Sequence, residues 1–279
     1  MHVRSLGYRT DLALLTASGS TVEDRGTHLV VRTPENPNYH WGNFLLLDRA
    51  PVPGGEKEVV GAFRTEFPEA THVAIGIDAS PHEGTQEGTP EGGALDADAR
   101  ARFEAAGLRV SDDVVLACST LVQPLSPLAA ITVRPLVSEE DWEQRTRLDS
   151  LIDPGSDPET HAAYQRGRND LERSLARSGA GQRFGAFLDD TLVATAAVFR
   201  TEATLARYQN VETHPDHRRQ GIGAAVVHAA GRYALGELGV ERLVIVAEAE
   251  GPAIGIYRRL GFVESETQIG MELAGPDHR

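Results

Sequence analysis

The run Arg218-Arg219-Gln220-Gly221-Ile222-Gly223-Ala224 constrains this chain more than any other segment, because it joins an alternating stretch at 206–213 to an amphipathic one at 226–235. Gly221 and Gly223 remove side chains where a backbone must approach a ligand, and the first amides of the following helix have no partner within it. Such a helix entrance attracts anions, phosphate above all. Arg218 and Arg219 add two guanidinium groups on a chain whose formal charge is −14. A diphosphate fits this loop; a tight helix entrance holding no ligand is the plainer alternative. A dinucleotide site would need G-x-G-x-x-G, and Val226 stands at the third glycine position. No G-x-x-x-x-G-K-[ST] run for a nucleotide P-loop exists in the chain.

Hydrophobic periodicity sets the context of the loop. It predicts a strand at 131–134, a helix opened by Ser138-Glu139-Glu140-Asp141 and running to 152, and a second helix opened by Asp157-Pro158 and running to 177. The period then changes to two, predicting strands at 184–188, 192–199 and 206–213, the first two joined by an Asp189-Asp190 turn. A helix from near Gln220, a strand at 243–247, a helix at 252–260 and two short terminal strands follow. The order is β-α-α-β-β-β-α-β-α-β-β.

Arg218-x-x-Gly221-x-Gly223 matches the signature R/Q-x-x-G-x-G/A, and the segment 252–262 ends in Tyr257-x-x-x-Gly261-Phe262. With these motifs in this order, residues 128–279 resemble the GCN5-related N-acetyltransferase (GNAT) superfamily. The resemblance implies an α/β fold with a mostly antiparallel, mixed central sheet flanked by helices. It implies acetyl-coenzyme A as cosubstrate and a primary amine of a small molecule or protein as acceptor. Backbone groups of Val211 and Thr213 would pair with the pantetheine arm, where the strand before the loop splays from the next. Arg218, Arg219, Gln220, Gly221, Gly223 and Ala224 would hold the phosphates. Tyr257 stands where similar enzymes carry the acid for the departing thiolate; a phenol of pKa ~10 keeps its proton at neutral pH. A packing tyrosine is the alternative.

The amine's proton also needs an acceptor, which the sequence does not identify. Glu212 is nearest, but on an alternating strand it points away from the face shared by Val211 and Thr213. Glu248 and Glu250 are further carboxylates, Glu250 standing near where the family often has an asparagine. His214, Asp216 and His217 lie on a loop beside a proline and read as solvent-facing, so no metal site is expected.

The first half is less legible. Strands at 29–32, 43–47 and 73–77 and a helix at 56–67 are predicted, and 38–43 reads as a core tryptophan, Trp41, at a strand start, with a substrate contact as the alternative. Aligning Phe103-Glu104-Ala105-Ala106-Gly107-Leu108 with Tyr257-Arg258-Arg259-Leu260-Gly261-Phe262 puts a helix end, a glycine cap and an outgoing strand in register. This internal repeat implies two GNAT-like domains in tandem, 1–127 and 128–279, joined by Gln123-Pro124-Leu125-Ser126-Pro127, with a surface excursion at 79–94. Phe103 has the ring of Tyr257 but no proton to give. The counterpart of the phosphate loop, near Val52-Pro53-Gly54-Gly55-Glu56-Lys57, carries an acid where phosphate would sit. The first copy is therefore read as degenerate, and the chain as holding one cofactor.

Composition bounds the rest. An apolar content of 41% with 24% charged residues suits a globular protein, and no window reaches the ~20 apolar residues of a membrane span. Residues 1–20 lack the pattern of a secretory signal, so a cytoplasmic location is expected. The one cysteine, Cys118, lies in an apolar strand and reads as a buried thiol. The acidic balance disfavours nucleic acid and suits a cationic amine. A homodimer is left open. The competing function is a module that binds coenzyme A or its acetyl ester without turnover.

Overall fold

The computed structural model describes residues 1–78, 95–125, 127, 130–152 and 158–273. The excursion expected at 79–94, Ser126 of the linker and the Asp157 cap lie outside the described residues. The chain forms two compact units, and one cut at 127/128 does not separate them. The first comprises Met1–Val115, Val246–Ala249 and the segment from Ser265; the second comprises Leu116–Ile245 and Glu250–Glu264.

In the first unit, strands β1 (Thr21–Asp24), β2 (His28–Arg32) and β3 (Phe44–Leu47) pair antiparallel, and β3 pairs parallel with β4 (Val73–Ile77). The unbroken apolar run Phe44-Leu45-Leu46-Leu47 is what a strand covered on both faces requires. Leu45 and Leu47 join Phe63, Ile75 and Phe103 in one cluster, while Phe44 and Leu46 join Tyr8, Leu15 and Val31 in the other. Helices α2 (Glu56–Glu66) and α3 (Ala97–Ala105) supply Phe63 and Phe103 to the first cluster. A helix that periodicity did not predict, α1 (Leu6–Ala17), supplies Tyr8 and Leu15 to the second. Its apolar stripe is interrupted by buried Thr10, whose Oγ1 donates back to the carbonyls of Leu6 and Gly7. Trp41, expected in the core, is only partly buried and packs against that same cluster with its ring 5.6 Å from Phe44.

Strand β5 (Arg109–Cys118) ends with Cys118 buried, its Sγ donating to the carbonyl of Thr120 at 3.2 Å and its pKa pushed up by burial. The chain's end corrects the expected pair of short strands. It is one strand, β11 (Val263–Leu273), whose Ile269 to Leu273 pair antiparallel with Ile77 to Val73 of β4. Its polar first half conceals the continuity, because Ser265 to Gln268 show no apolar alternation. Glu266 and Gln268 instead answer groups of α1: Glu266 Oε1 accepts the amide of Gly7 at 2.8 Å and Gln268 Nε2 donates to Asp11 at 2.9 Å.

The second unit repeats the pattern. Strands β6 (Thr132–Pro135), β7 (Gly181–Leu188), β8 (Thr191–Arg200) and β9 (Leu205–Thr213) pair antiparallel, and β9 pairs parallel with β10 (Arg242–Glu248). Helices α4 (Glu139–Ile152), α5 (Pro158–Arg177), α6 (Ile222–Gly236) and α7 (Ile254–Arg259) surround them. Ser138 Oγ accepts the amide of Asp141 at 3.1 Å while Asp141 accepts that of Ser138 at 3.0 Å, a reciprocal cap that starts α4 where the sequence predicts it. The repeat holds in atomic detail at the ends of α3 and α7. Leu108 N donates to Phe103 O and Phe262 N to Tyr257 O, both at 3.1 Å, across Gly107 and Gly261 at φ +89 and +96. No described helix is long and apolar enough to cross a membrane.

Candidate active site

Strands β9 and β10 pair only from Leu205–Arg242 to Arg207–Val244, although β9 continues to Thr213. A parallel pair that stops after three positions leaves backbone donors and acceptors along the rest of β9 available to a ligand. The other edge of β9 stays on β8 through a bulge: Thr195 faces Glu212 and Ala197 faces Gln209, so Asn210 and Val211 share the place opposite Ala196. Asn210 adopts φ +42 there. Arg183, fully buried on β7, fixes the bulge by donating to the Asn210 carbonyl at 3.2 Å and to Thr195 Oγ1 at 3.1 Å, while Glu172 of α5 binds the same guanidinium through two bonds.

The expected loop follows β9 directly. Arg218 Nε donates to the Thr213 carbonyl at 3.2 Å and Gln220 Nε2 to the Asp216 carbonyl at 3.1 Å, so both side chains brace the turn. Arg218 and Arg219 are exposed, Arg219 at φ +60. Gly221 caps α6 at φ +83, a conformation that costs a side-chain-bearing residue ~1–2 kcal/mol. Ala225 N makes the first helical bond, to Gly221 O at 3.1 Å, so the amides before it, through Ala224, lie outside the helical ladder. No side chain caps them and no acid lies in the first turn. A side chain at Gly223 would meet Thr213 Oγ1 at 3.1 Å and Ile256 Cδ1 at 3.8 Å, so loop, strand end and α7 converge at this glycine.

Tyr257 is tied to the point where β9 and β10 part. It is 4% exposed, its ring lies edge-on to Phe262 at 6.2 Å, and Phe262 lies edge-on to Tyr208 at 5.9 Å. Tyr208 is the first β9 residue beyond the shared register, and Tyr257 lies close enough for its charge to act on Tyr208. Burial pushes the Tyr257 pKa up to about 12. The phenol therefore keeps its proton throughout the neutral range.

Residues 140–262 match the acetyltransferase (GNAT) family. They belong to that family. A GCN5-related N-acetyltransferase from Kribbella flavida aligns over 98% of this chain and 97% of its own, at 17% identity and a TM-score of 0.61. A conserved protein of unknown function from Staphylococcus epidermidis aligns over 90% and 92%, at 13% identity and a TM-score of 0.69. A tandem GNAT protein from the clavulanic acid biosynthesis pathway aligns over 93% and 86%, at 15% identity and a TM-score of 0.51. These likenesses establish the fold, including its occurrence in tandem. No curated protein matches the sequence.

On the opposite face of β9 the GNAT domain holds a charged interior that sequence reasoning missed. Glu212 does face away from Thr213, toward α4 and α5, where Arg168 Nη2 reaches Asp149 Oδ1 at 2.9 Å and Glu212 Oε1 at 3.4 Å. Burial, then the neighbouring Glu212 charge, push the Asp149 carboxyl up to about 7. Glu248 and Glu250 are exposed. One signal was available: Asp141, Trp142, Arg145, Leu148 and Asp149 recur at the spacing of a buried helix face, with charges at three of the five positions. Among the described residues no group of three or more His, Cys, Asp or Glu is placed to hold a metal ion.

Proposed function

We propose that this chain is an N-acetyltransferase that moves the acetyl group of acetyl-coenzyme A to a primary amine of a small molecule or protein. The observation that carries the reading is the parting of β9 from β10 beside a glycine loop whose helix amides carry no side-chain cap. Gly221, Gly223 and Ala224 would bind the donor's diphosphate through their amides, with Arg218 and Arg219 adding charge, and Val211 and Thr213 would pair with its pantetheine arm. A backbone amide on the open stretch of β9 would stabilise the oxyanion that forms as the amine attacks. Tyr257 would give its proton to the departing thiolate. The net charge of −14 suits an acceptor that arrives as a cation.

Calorimetric titration with acetyl-coenzyme A, followed by thiol-release assays against an amine panel with Tyr257→Phe alongside, tests this reading. Binding at one site, with release that depends on both the amine and Tyr257, is the expected result. Tight binding without release for any amine would make the chain a binding module, and no binding would sink both readings.

A further inference from the structure

The chain that follows β5 does not cross the second unit as a loose connection; it lies along α6. Leu121 Cδ1 is 2.7 Å from where a Cβ on Gly231 would stand, in the second half of that helix. Leu125 O and Pro127 Cα are 3.9 and 3.4 Å from the corresponding point on Gly221, the glycine that caps its start. Gly231 and Gly221 are ten residues apart, ~15 Å on a helix, and Leu121 and Leu125 are four apart, ~13 Å when extended. The stretch therefore runs antiparallel to α6 and arrives beside the glycine loop. On its way it is fastened to the end of α7, where Val122 N donates to Leu260 O at 2.9 Å. Gly261 admits this close pass, since a side chain there would meet Thr120 O at 2.9 Å and Val122 Cγ2 at 3.3 Å.

The loop thus has two flanks. Thr213 and Ile256 stand at Gly223, and Leu125 and Pro127 stand at Gly221. Pro124 and Pro127 fix two φ angles and remove two backbone donors, which stiffens the second flank. Leu125 is 90% exposed and Val122 52% exposed. Single exposed apolar side chains are ordinary on a surface. Leu125 differs in its place: its own carbonyl lies against the glycine of the loop, on a backbone fastened at α7.

We propose that Leu125, with Val122 and Pro127, forms a wall of the donor site, against which the nucleotide end of acetyl-coenzyme A rests. The proposal rests on the acetyl-transfer reading above and deepens it by assigning the half of the donor that the strand and Tyr257 leave unassigned. A diphosphate joins two groups that leave it in different directions. If the pantetheine arm runs along β9 past Thr213, it leaves on the Gly223 flank, and the nucleotide leaves on the Gly221 flank, where the proline stretch stands. Adenine has flat, weakly polar faces that Leu125 and Val122 can cover. The prolines hold that surface in place before the ligand arrives, so little ordering is lost on binding.

The test is calorimetric titration of the full chain with acetyl-coenzyme A, for wild type, Leu125→Asp and Leu125→Lys, together with amide exchange of the wild type with and without coenzyme A. Leu125 is exposed, so both variants keep the fold while placing opposite charges at one spot. Leu125→Asp is expected to raise the Kd ~threefold or more and Leu125→Lys to lower it, with the difference shrinking at high salt. The amides of Gln123 and Leu125 are expected to exchange ~fivefold more slowly with coenzyme A bound. Val137→Asp is the control: it makes the same change in net charge at a residue 77% exposed, beyond β6, three strands and ~14 Å from β9, and should leave the Kd unchanged. A wild type that binds while both Leu125 variants bind equally well would overturn the wall and leave the loop as the donor site. Equal losses in Leu125→Asp and Val137→Asp would overturn it too, as an effect of net charge alone. A wild type that binds no acetyl-coenzyme A would overturn both the wall and the reading beneath it.

Discussion

Glu56 Oε2 accepts the amide of Gly54 at 3.0 Å, so the glycine turn of the first unit is closed by the chain's own carboxylate. Its other oxygen takes Arg102 Nε at 2.7 Å, and these backbone and guanidinium bonds hold the Glu56 pKa below its usual value. Strand β3 has no open edge either: its register with β4 runs to Leu47, where Asp78 N donates to Leu47 O at 2.8 Å. Among its described residues the first unit therefore shows neither a free anion turn at 52–57 nor a parting of β3 from β4. Calorimetry should give one acetyl-coenzyme A per chain, and Glu56→Ala should not raise that to two.

Gly221→Val should weaken acetyl-coenzyme A binding at least tenfold, because a β-branched residue at φ +83 either distorts the loop or pays ~1–2 kcal/mol to stay. Thermal unfolding should register that cost, and calorimetry the lost affinity. An unchanged dissociation constant would remove the loop from the site.

Tyr257→Phe should lower kcat by ~10²–10⁴-fold, the usual worth of a positioned acid, with the donor's KM nearly unchanged. The ring contact with Phe262 survives the substitution, so unfolding at neutral pH should be little affected. The raised pKa has its own consequence. The unfolded phenol ionises near pH 10 and the folded one at about 12, so this group's contribution to stability is whole below pH 10 and is lost toward 12. Tyr257→Phe should lessen that alkaline loss in denaturant titrations.

Asp149 should act on stability in the neutral range. A carboxyl raised to about 7 in the fold but ordinary when unfolded stabilises the fold fully only below the unfolded pKa, and loses that contribution as pH rises through 7. Wild type minus Asp149→Asn, measured by urea unfolding at pH 5 and pH 8, should shift toward the variant at pH 8. The opposite slope would mean that Asp149 is held ionised.

Met271→Ala should cost ~2–5 kcal/mol, as for other buried methionines. Met271 is fully buried in the core cluster of Phe63, Phe103 and Ile75. The loss should appear in the exchange protection of amides on β4, its pairing partner, at Val73 to Ile77.

The second unit was legible because its signals are local: a reciprocal cap at Ser138, alternation on β7 to β9, and glycines at the entrance to α6. The glycine cap that ends α7 after Tyr257 was legible too, since the same cap recurs after Phe103 at the end of α3. What sequence left dark depends on contacts distant in the chain. Helix α1 hides because Thr10 breaks its apolar stripe, and nothing local in the sequence ties Asp149 to Glu212, which Arg168 reaches together only in the fold. The bulge at Asn210 carries no glycine; Arg183, 27 residues away, holds it.

Strand β11 sets the order in which this protein can be finished. Residues 269–273 complete the sheet beside β4, and Tyr8 donates to the carbonyl of Ile269 at 2.6 Å. A ribosome that has already released the first hundred residues has not yet delivered the strand they fold around. Neither fragment of a chain cut at 123–127 carries a complete first unit. A truncation before residue 269 therefore strips β4 of its antiparallel neighbour, although β4 itself was made nearly two hundred residues earlier.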